Sequence, residues 1–583
     1  MDADVIIVGA GLSGLVAARE AYAAGLRTII VDQEGPQNVG GQAWWSFGGL
    51  FLVDSPEQRR LGVKDSFELA WQDWQGSAQW DRLPGPGQGA DAADGAPTAD
   101  HWAARWGRAY VEWAAGEKRA WLREVGIDLT PMVGWAERGD LTATGHGNSV
   151  PRFHVSWGTG TGVVQPFVES AHEAVAAGRT EFRHRHRVDE LVTEGGAVVG
   201  VRGAVLAPDA GDRGAASSRT EVGAFELRAP NVIVASGGIG GNHDLVREHW
   251  PERLGAPPRE MVTGVPAYVD GRMLAIAGDA GARLVNQDRM WHYTEGIKNW
   301  YPVWPSHAIR ILPGPSPLWL DALGRRLPAP GLPGHDTLGT LKLLRTRPGL
   351  AEHDHSWFVV TSRIAAKEFA LSGSEQNPDL TNRDKKLLMK TRLGKGAPGP
   401  VQAFIDRGAD FVTADTVAEL VAKMNGLTDE PLLDAAEVER VVRARDAEFD
   451  NPFSKDAQAM SVHNSRRYLG DRLTRTTKPH KLLDESAGPL VGIKLHVLTR
   501  KSLGGVQTDL SSRALGADGS PIPGLFAVGE AAGFGGGGVH GYNALEGTFL
   551  GGCLFSGRAA GRAVAGLSLI HISEPTRRYA ISY

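Results

Sequence analysis

Gly9-Ala10-Gly11-Leu12-Ser13-Gly14 directly follows the apolar run Val5-Ile6-Ile7-Val8. A run of β-branched residues reads as a strand buried on both faces. A helical stretch from Leu15 to Ala24 comes next, and Gly25 stops it. A second strand, from Arg27 to Val31, ends in Asp32, which completes a βαβ unit. Each glycine has a separate duty. Gly9 permits the tight turn, Gly11 lets backbone approach a pyrophosphate, and Gly14 lets the helix pack on the strand. Ala10, Leu12 and Ser13 carry the N–H groups at the positive end of the helix, which suit phosphates. Asp32 stands about twenty residues past Gly11, where an acid meets ribose hydroxyls, with Gln33 beside it.

The identity of the dinucleotide is read further along. Gly40-Gly41-Gln42-Ala43-Trp44-Trp45-Ser46-Phe47-Gly48-Gly49 is a glycine-flanked loop soon after the ribose acid. A nicotinamide domain has no need of it. A flavin does, because its ribityl chain and ring extend away from the first helix and need backbone along their length. Gly40, Gly41, Gln42, Gly48 and Gly49 are therefore candidate cofactor contacts. Val232-Ile233-Val234-Ala235 meets a second glycine junction, with Ser236, Gly237 and Gly238 as further contacts. Near the other end, Gly524-Leu525-Phe526-Ala527-Val528-Gly529-Glu530 supplies a matching strand and turn, placing Gly529 and Glu530 against the ribityl hydroxyls. The cofactor expected is FAD.

A chain of 583 residues exceeds one core. The expected fold is α/β: a discontinuous Rossmann-like FAD-binding domain (1–270 and 460–566) with an inserted α+β capping domain (271–459). Residues 83–99 and 207–219 read as polar surface loops. The segment 567–583 breaks the pattern; within it Ser568-Leu569-Ile570-His571-Ile572-Ser573-Glu574-Pro575 resembles a translated sequencing-adapter peptide, so it is set aside as a non-native tail. A net charge of -5 argues against a nucleic-acid partner. No apolar run reaches the ~20 residues of a membrane span. The single cysteine, Cys553, excludes an internal disulfide and a cysteine-rich metal site, and fits a cytoplasmic protein. No Cys/His cluster is present, so no metal is expected. There is no P-loop, no Gly-x-Ser-x-Gly elbow and no internal repeat.

These segments together resemble the flavoprotein family of fumarate reductases, succinate dehydrogenases and 3-ketosteroid Δ1-dehydrogenases, most of all the actinobacterial ketosteroid-dehydrogenase-like members. The resemblance also rests on Asp270-Gly271, Gly324-Arg325-Arg326 and Leu503-Gly504-Gly505-Val506-Gln507-Thr508-Asp509. It implies a substrate held between the FAD domain and a mobile cap. It also implies flavin contacts at Val188 (toward adenine), Asn543 and Leu545. The departures narrow the chemistry. Positions 42 to 47 lack the histidine that tethers flavin in succinate dehydrogenases, so FAD is expected to be non-covalent. Fumarate reductases carry Asn-Arg-Leu-Gly-Gly-Asn where this chain reads Asn543-Ala544-Leu545-Glu546-Gly547-Thr548, so the carboxylate-gripping arginine is gone. Arg500 is nearest to the place of their dicarboxylate-binding histidine.

Gly538-Val539-His540-Gly541-Tyr542-Asn543 can be laid on the ketosteroid enzymes' Gly-His-Ser-Tyr-Pro-Gly segment. The resemblance then makes Tyr542 the catalytic tyrosine, with His540 as its neighbour and His292 on the substrate wall. The plain alternatives are a flavin-packing tyrosine and satisfied structural histidines. Arg326 reads as an interdomain hydrogen-bonding residue, and His184 and His186 as surface positions on an alternating strand. The tryptophan pairs read as packing, with Trp44 or Trp45 free to wall an apolar pocket. The leading expectation is a dehydrogenase desaturating a bulky apolar ketone beside its carbonyl, with a small-molecule substrate and an unidentified electron acceptor as partners. Two alternatives stand beside it: a reductase of an α,β-unsaturated acid, and a flavin protein passing electrons to a partner protein.

Overall fold

The computed structural model describes residues 1–84, 97–393 and 396–566. The expected tail at 567–583, and most of the loop expected at 83–99, lie outside the described residues.

Val5–Val8 is buried throughout, as its all-aliphatic sequence requires. It pairs in parallel with Thr28–Asp32 on one side and Val232–Val234 on the other. The six-stranded sheet runs Arg513–Leu515, Pro521–Ala527, Val232–Val234, Val5–Val8, Thr28–Asp32, Thr180–His184. Strands from both ends of the chain therefore share one sheet. The first helix spans Leu12–Ala23, starting at the glycine loop itself, earlier than the expected Leu15. The last helix, Thr548–Val564, packs across it through two glycines. A Cβ at Gly557 would lie 2.5 Å from Ser13 O, and one at Gly561 2.6 Å from Glu20 Cβ. Small residues one turn apart are what let the two backbones approach so closely.

A second body is built on an eight-stranded sheet whose main path runs Leu318–Leu320, His355–Thr361, Leu490–Ser502, Met290–Lys298, Ala308–Leu312, Ala370–Leu371. Its core extends from Ile297 to Leu495. The expected return to the FAD domain at 460 is thus corrected: the strand Leu490–Ser502 is central to the second sheet and only its end reaches the first body. Pro and charged helices hid that boundary, because 460–489 has the composition of the cap. Arg326 is likewise corrected. It pairs with Asp456 at 2.6 and 2.9 Å, inside the second body. Among the described residues no helix is long and apolar enough to cross a membrane.

His184 and His186 do not share one strand. Arg185 turns the chain with φ of 60°, ending Thr180–His184 and starting His186–Glu194. The insertion 207–219 folds back near the end of Thr28–Asp32. Arg219 donates to Glu34 at 2.7 Å, and the Arg213 guanidinium lies 3.9 Å over the Trp44 ring.

Candidate functional site

A cleft opens at the carboxyl ends of the parallel strands, where open α/β sheets bind their ligands. The glycine loop forms one wall, with Gly9, Gly11, Leu12 and Ser13. Asp32 and Gln33 stand at one end. Gly40, Gly41 and Gln42 line the middle, Ser236 and Gly237 face them, and Glu530 closes the far end. Val188 is in the lining, and so is His186, whose expected surface position is corrected.

The cleft fits FAD on its own evidence. It is floored by glycine: a Cβ at Gly41 would come within 3.2 Å of Gly11 Cα, and one at Gly237 within 3.4 Å of Gln42 Nε2. Side chains there would fill the trough. Asp32 accepts from Ala10 N at 2.7 Å and Glu34 N at 2.8 Å, leaving lone pairs for ribose hydroxyls. Burial raises it to about 6, against those backbone bonds. A hydroxyl ligand would meet a carboxylate already positioned. Glu530 is held in the same way, by Ser502 N at 2.8 Å and by the Gln42 amide. Burial pushes it up to about 6 as well.

The remaining expected cofactor residues support this trough from behind. A Cβ on Gly14 would lie 2.3 Å from Gly9 O, and one on Gly238 2.3 Å from Glu530 Oε1. Gly529 N donates to Ser556 Oγ at 2.9 Å. Gly48 and Gly49 pack on Ser156, Thr159 and Phe153. Asn543 donates to Ser77 O at 3.1 Å, and Leu545 is buried.

The three expected catalytic residues are not brought together. Tyr542 is half-buried, its hydroxyl donating to Asp81 at 2.8 and 3.0 Å. Its ring lies between the guanidiniums of Arg253 and Arg289, at 4.3 and 4.2 Å. Asp81 and the two arginines clamp the side chain in place. His540 is enclosed by Trp74, Phe534 and Phe549, and burial drops it to about 3. It is a neutral core residue. His292 stacks on Trp250 at 5.1 Å and is also brought down to about 3 by burial.

Beside His292, a different cluster forms. Successive strand residues face opposite ways, so Tyr293 points away from Trp250 and into the junction of the two bodies. Its hydroxyl donates to Glu546 Oε1 at 2.9 Å and accepts from Lys501 Nζ at 3.0 Å. Arg310 donates to the same Glu546 oxygen at 2.8 Å and covers the Tyr293 ring at 3.9 Å. Glu295 and Glu137 lie 3.4 and 3.6 Å from Arg310. Burial brings Lys501 down to about 7, with Arg500 adding to it. Burial opposes the charge on Glu546 too, yet Arg310 and Lys501 outweigh it and hold the carboxylate below its ordinary range. Burial and Glu546 push Tyr293 well up. The cluster adjoins the trough: Lys501 precedes the Ser502 that holds Glu530, and Glu546 follows Leu545. Trp45 reaches the second body here, edge-on to Trp304 at 5.3 Å.

The sequence reading passed over Tyr293, Lys501 and Arg310, and read Glu546 only as a departure. The available signal was an acid at 546 between buried Leu545 and Phe549, and a Tyr-Thr-Glu run inside a strand buried along nearly its whole length, Met290–Lys298.

Comparisons with known proteins agree with this geometry. The family model described as FAD binding domain matches residues 4–550. A KsdD-like steroid dehydrogenase of Mycobacterium tuberculosis is 59% identical over 565 residues, covering 97% of this chain and 96% of that one. Its counterpart from Mycolicibacterium smegmatis is 59% identical over 549 residues, 94% of this chain and 96% of the relative. Among solved structures, a 3-ketosteroid Δ1-dehydrogenase from Sterolibacterium denitrificans aligns with TM-score 0.64 at 16% identity, over 97% of this chain and 99% of that one. A flavocytochrome c3 fumarate reductase aligns with TM-score 0.60 at 19% identity, over 98% and 79%. Those structural likenesses establish the shared fold, and the sequence matches go further: the chain belongs to the FAD-binding-domain flavoproteins, groups within them with the KsdD-like enzymes, and is an FAD-dependent dehydrogenase.

Proposed function

We propose that the enzyme desaturates a bulky apolar ring ketone of the 3-ketosteroid type, removing a proton beside the carbonyl and a hydride from the next carbon. The observation that carries the reading is the buried Tyr293–Lys501–Glu546–Arg310 cluster at the junction of the two bodies, against the Glu530 end of the trough. The names of the 59% identical relatives support the steroid class. Asp32, the Gly9–Gly14 loop and Glu530 would hold FAD without a covalent bond. FAD, when bound, supplies the acceptor for the hydride.

The protein's part is proton handling and exclusion of water. With Lys501 neutral, the Tyr293 hydroxyl proton turns from Glu546 to Lys501 Nζ and passes to that amine as Tyr293 Oη takes the proton from the carbon beside the ketone. This requires the lysine to be neutral, and a value near 7 makes that form available at working pH. Glu546, itself fixed by Arg310, orients the hydroxyl. The Trp45–Trp304 contact and the cap sheet shield the step from solvent. We place the enzyme in the cytoplasm, on its single cysteine; the electron acceptor that reoxidises it is a separate partner.

Anaerobic mixing of the FAD-loaded enzyme with a panel of 3-ketosteroids, with succinate as control, tests the reading. Bleaching of the flavin absorbance by a ketosteroid and not by succinate is expected. A normal flavin spectrum that no ketosteroid bleaches overturns the substrate class. Ready reduction of fumarate would instead favour the unsaturated-acid reductase.

A further inference from the structure

Residues 451–483 hold seven Lys and Arg against two Asp, in a chain whose net charge is -5. Both acids are matched to cations from outside the stretch: Asp456 pairs with Arg326 at 2.6 Å, and buried Asp471 with Arg138. Lys455, Arg467, Arg472, Lys478 and Lys481 are exposed, and neither acid is. Lys481 reaches back to Asp450, leaving Arg467, Arg472 and Lys478 turned to solvent. The same stretch holds large apolar side chains in water: Phe453 is 86% exposed, Met460 58%, Leu473 53% and Leu469 38%. Single apolar residues scattered over a surface need no explanation. A group of them in one short stretch, interleaved with cations, does.

Helical spacing gathers these residues on one side. In the helix Ala457–Ser465, Gln458, Ala459, Val462 and Ser465 are buried, while Met460, His463 and Asn464 face water. Arg467 continues that outer line just past the helix end. In the helix Leu469–Thr474, Leu469, Arg472 and Leu473 repeat the same spacing on the outside. The inner sides of both helices are fastened to one guanidinium. Arg138 donates to Ser465 on the first helix and to Asp471 on the second. Between them, the Tyr468 hydroxyl donates inward to Val133 O. With their inner sides on a common anchor, the two helices turn their basic and apolar sides outward together. Ser461 meets His335 at 3.0 Å, and two residues on, Arg310 donates to Thr337 Oγ1 at 3.2 Å. The face thus lies on the outer side of the junction that holds the Tyr293 cluster.

We propose that this face docks the enzyme on an anionic lipid bilayer. Arg467, Arg472 and Lys478 meet the headgroup phosphates, and Met460, Leu469 and Leu473 enter the boundary with the acyl chains. Cations and large apolar side chains sharing the exposed side of short helices are the chemistry of an interfacial contact. An acidic protein partner would answer the cations alone and leave the apolar side chains without a counterpart. The chain as a whole is negative and would be repelled by such a bilayer, so the attraction has to be local. The segregation of cations to this stretch supplies it. Docking sets the junction of the two bodies toward the lipid, in which a bulky apolar ketone dissolves. That last consequence rests on the dehydrogenase reading; the docking itself does not.

The test is flotation of the FAD-loaded full chain with vesicles of phosphatidylglycerol and phosphatidylcholine in equal parts, against vesicles of phosphatidylcholine alone. The enzyme is expected to float with the anionic vesicles and not with the neutral ones, and the binding to weaken as salt rises. Arg467→Gln and Arg472→Gln are each expected to weaken it about fivefold, the factor one cation near the surface supplies. Leu469→Ser with Leu473→Ser keeps every charge and is expected to weaken it about tenfold or more. These side chains are exposed, so melting point and flavin content are expected to stay unchanged in all the variants. Failure of the unmodified enzyme to float with anionic vesicles overturns the proposal, and so does binding that the substitutions leave intact. Retention on immobilised polyglutamate without vesicle binding overturns it in favour of an acidic protein partner. Where a variant proves unstable, the comparison of anionic with neutral vesicles decides by itself. No ketone enters the measurement, so the docking and the dehydrogenase reading fail separately.

Discussion

Burial sets the working state of Lys501. The amine is brought down to about 7 from an ordinary 10.5, by desolvation first and then by the neighbouring Arg500. If the neutral amine receives the proton displaced from Tyr293, the rate follows the deprotonated fraction of Lys501. Below pH 7 that fraction falls tenfold per unit, so flavin reduction rises with pH and levels off above about 7. Lys501→Met is expected to remove this limb and lower the rate by ~10²-fold or more. A stopped-flow pH profile of the reductive half-reaction checks both; a flat profile in the unmodified enzyme excludes the lysine from proton transfer. At this scale the sequence was partly legible. The ribose acid and the trough glycines follow from backbone requirements that only certain residues meet. Tyr293 did not, because its role depends on strand alternation that turns it toward Lys501 and Glu546 while His292 faces Trp250. Sequence order sets those facings, but not what lies opposite them.

The first βαβ element binds phosphate only if helix and strand lie close, and Gly14 sets that spacing. A Cβ there would meet Gly9 O at 2.3 Å and Ile7 Cγ2 at 3.1 Å. Backbone oxygen does not yield as a flexible side chain would, so Gly14→Ala is expected to cost ~1–3 kcal/mol by overpacking. It should also weaken FAD retention, because the same shift moves the loop amides. Thermal melting and the flavin-to-protein absorbance ratio after gel filtration check this; an unchanged melting point with full flavin content would show that the loop absorbs the methyl. This element was the most legible of all, since its periodicity and its glycines point to one structure. The strand Leu490–Ser502 was the least. Its apolar residues serve the cap core at Ile493 and Leu495, and its last residues serve the trough. A boundary drawn from composition cannot divide a strand that belongs to two bodies.

At the scale of the whole molecule, the chemistry lies where the two bodies meet. The trough belongs to the six-stranded sheet, while Tyr293, Arg310 and Lys501 ride on strands of the second sheet. Glu546, just before the last helix, joins the two through Tyr293 and Arg310. Tyr542 lies outside this junction, tied to Asp81 between two arginines. The resemblance to ketosteroid enzymes pointed to Tyr542 because a glycine-rich segment can be aligned there; the fold buries His540 of that segment and ties Tyr542 to Asp81. The account therefore stands on which tyrosine handles the proton. The direct measurement is the anaerobic rate of flavin bleaching by a reactive 3-ketosteroid in Tyr293→Phe and Tyr542→Phe, each with its flavin content verified. The account predicts a fall of ~10²–10⁴-fold in Tyr293→Phe and less than about tenfold in Tyr542→Phe. The reverse pattern, with Tyr293→Phe near the unmodified rate, would contradict it.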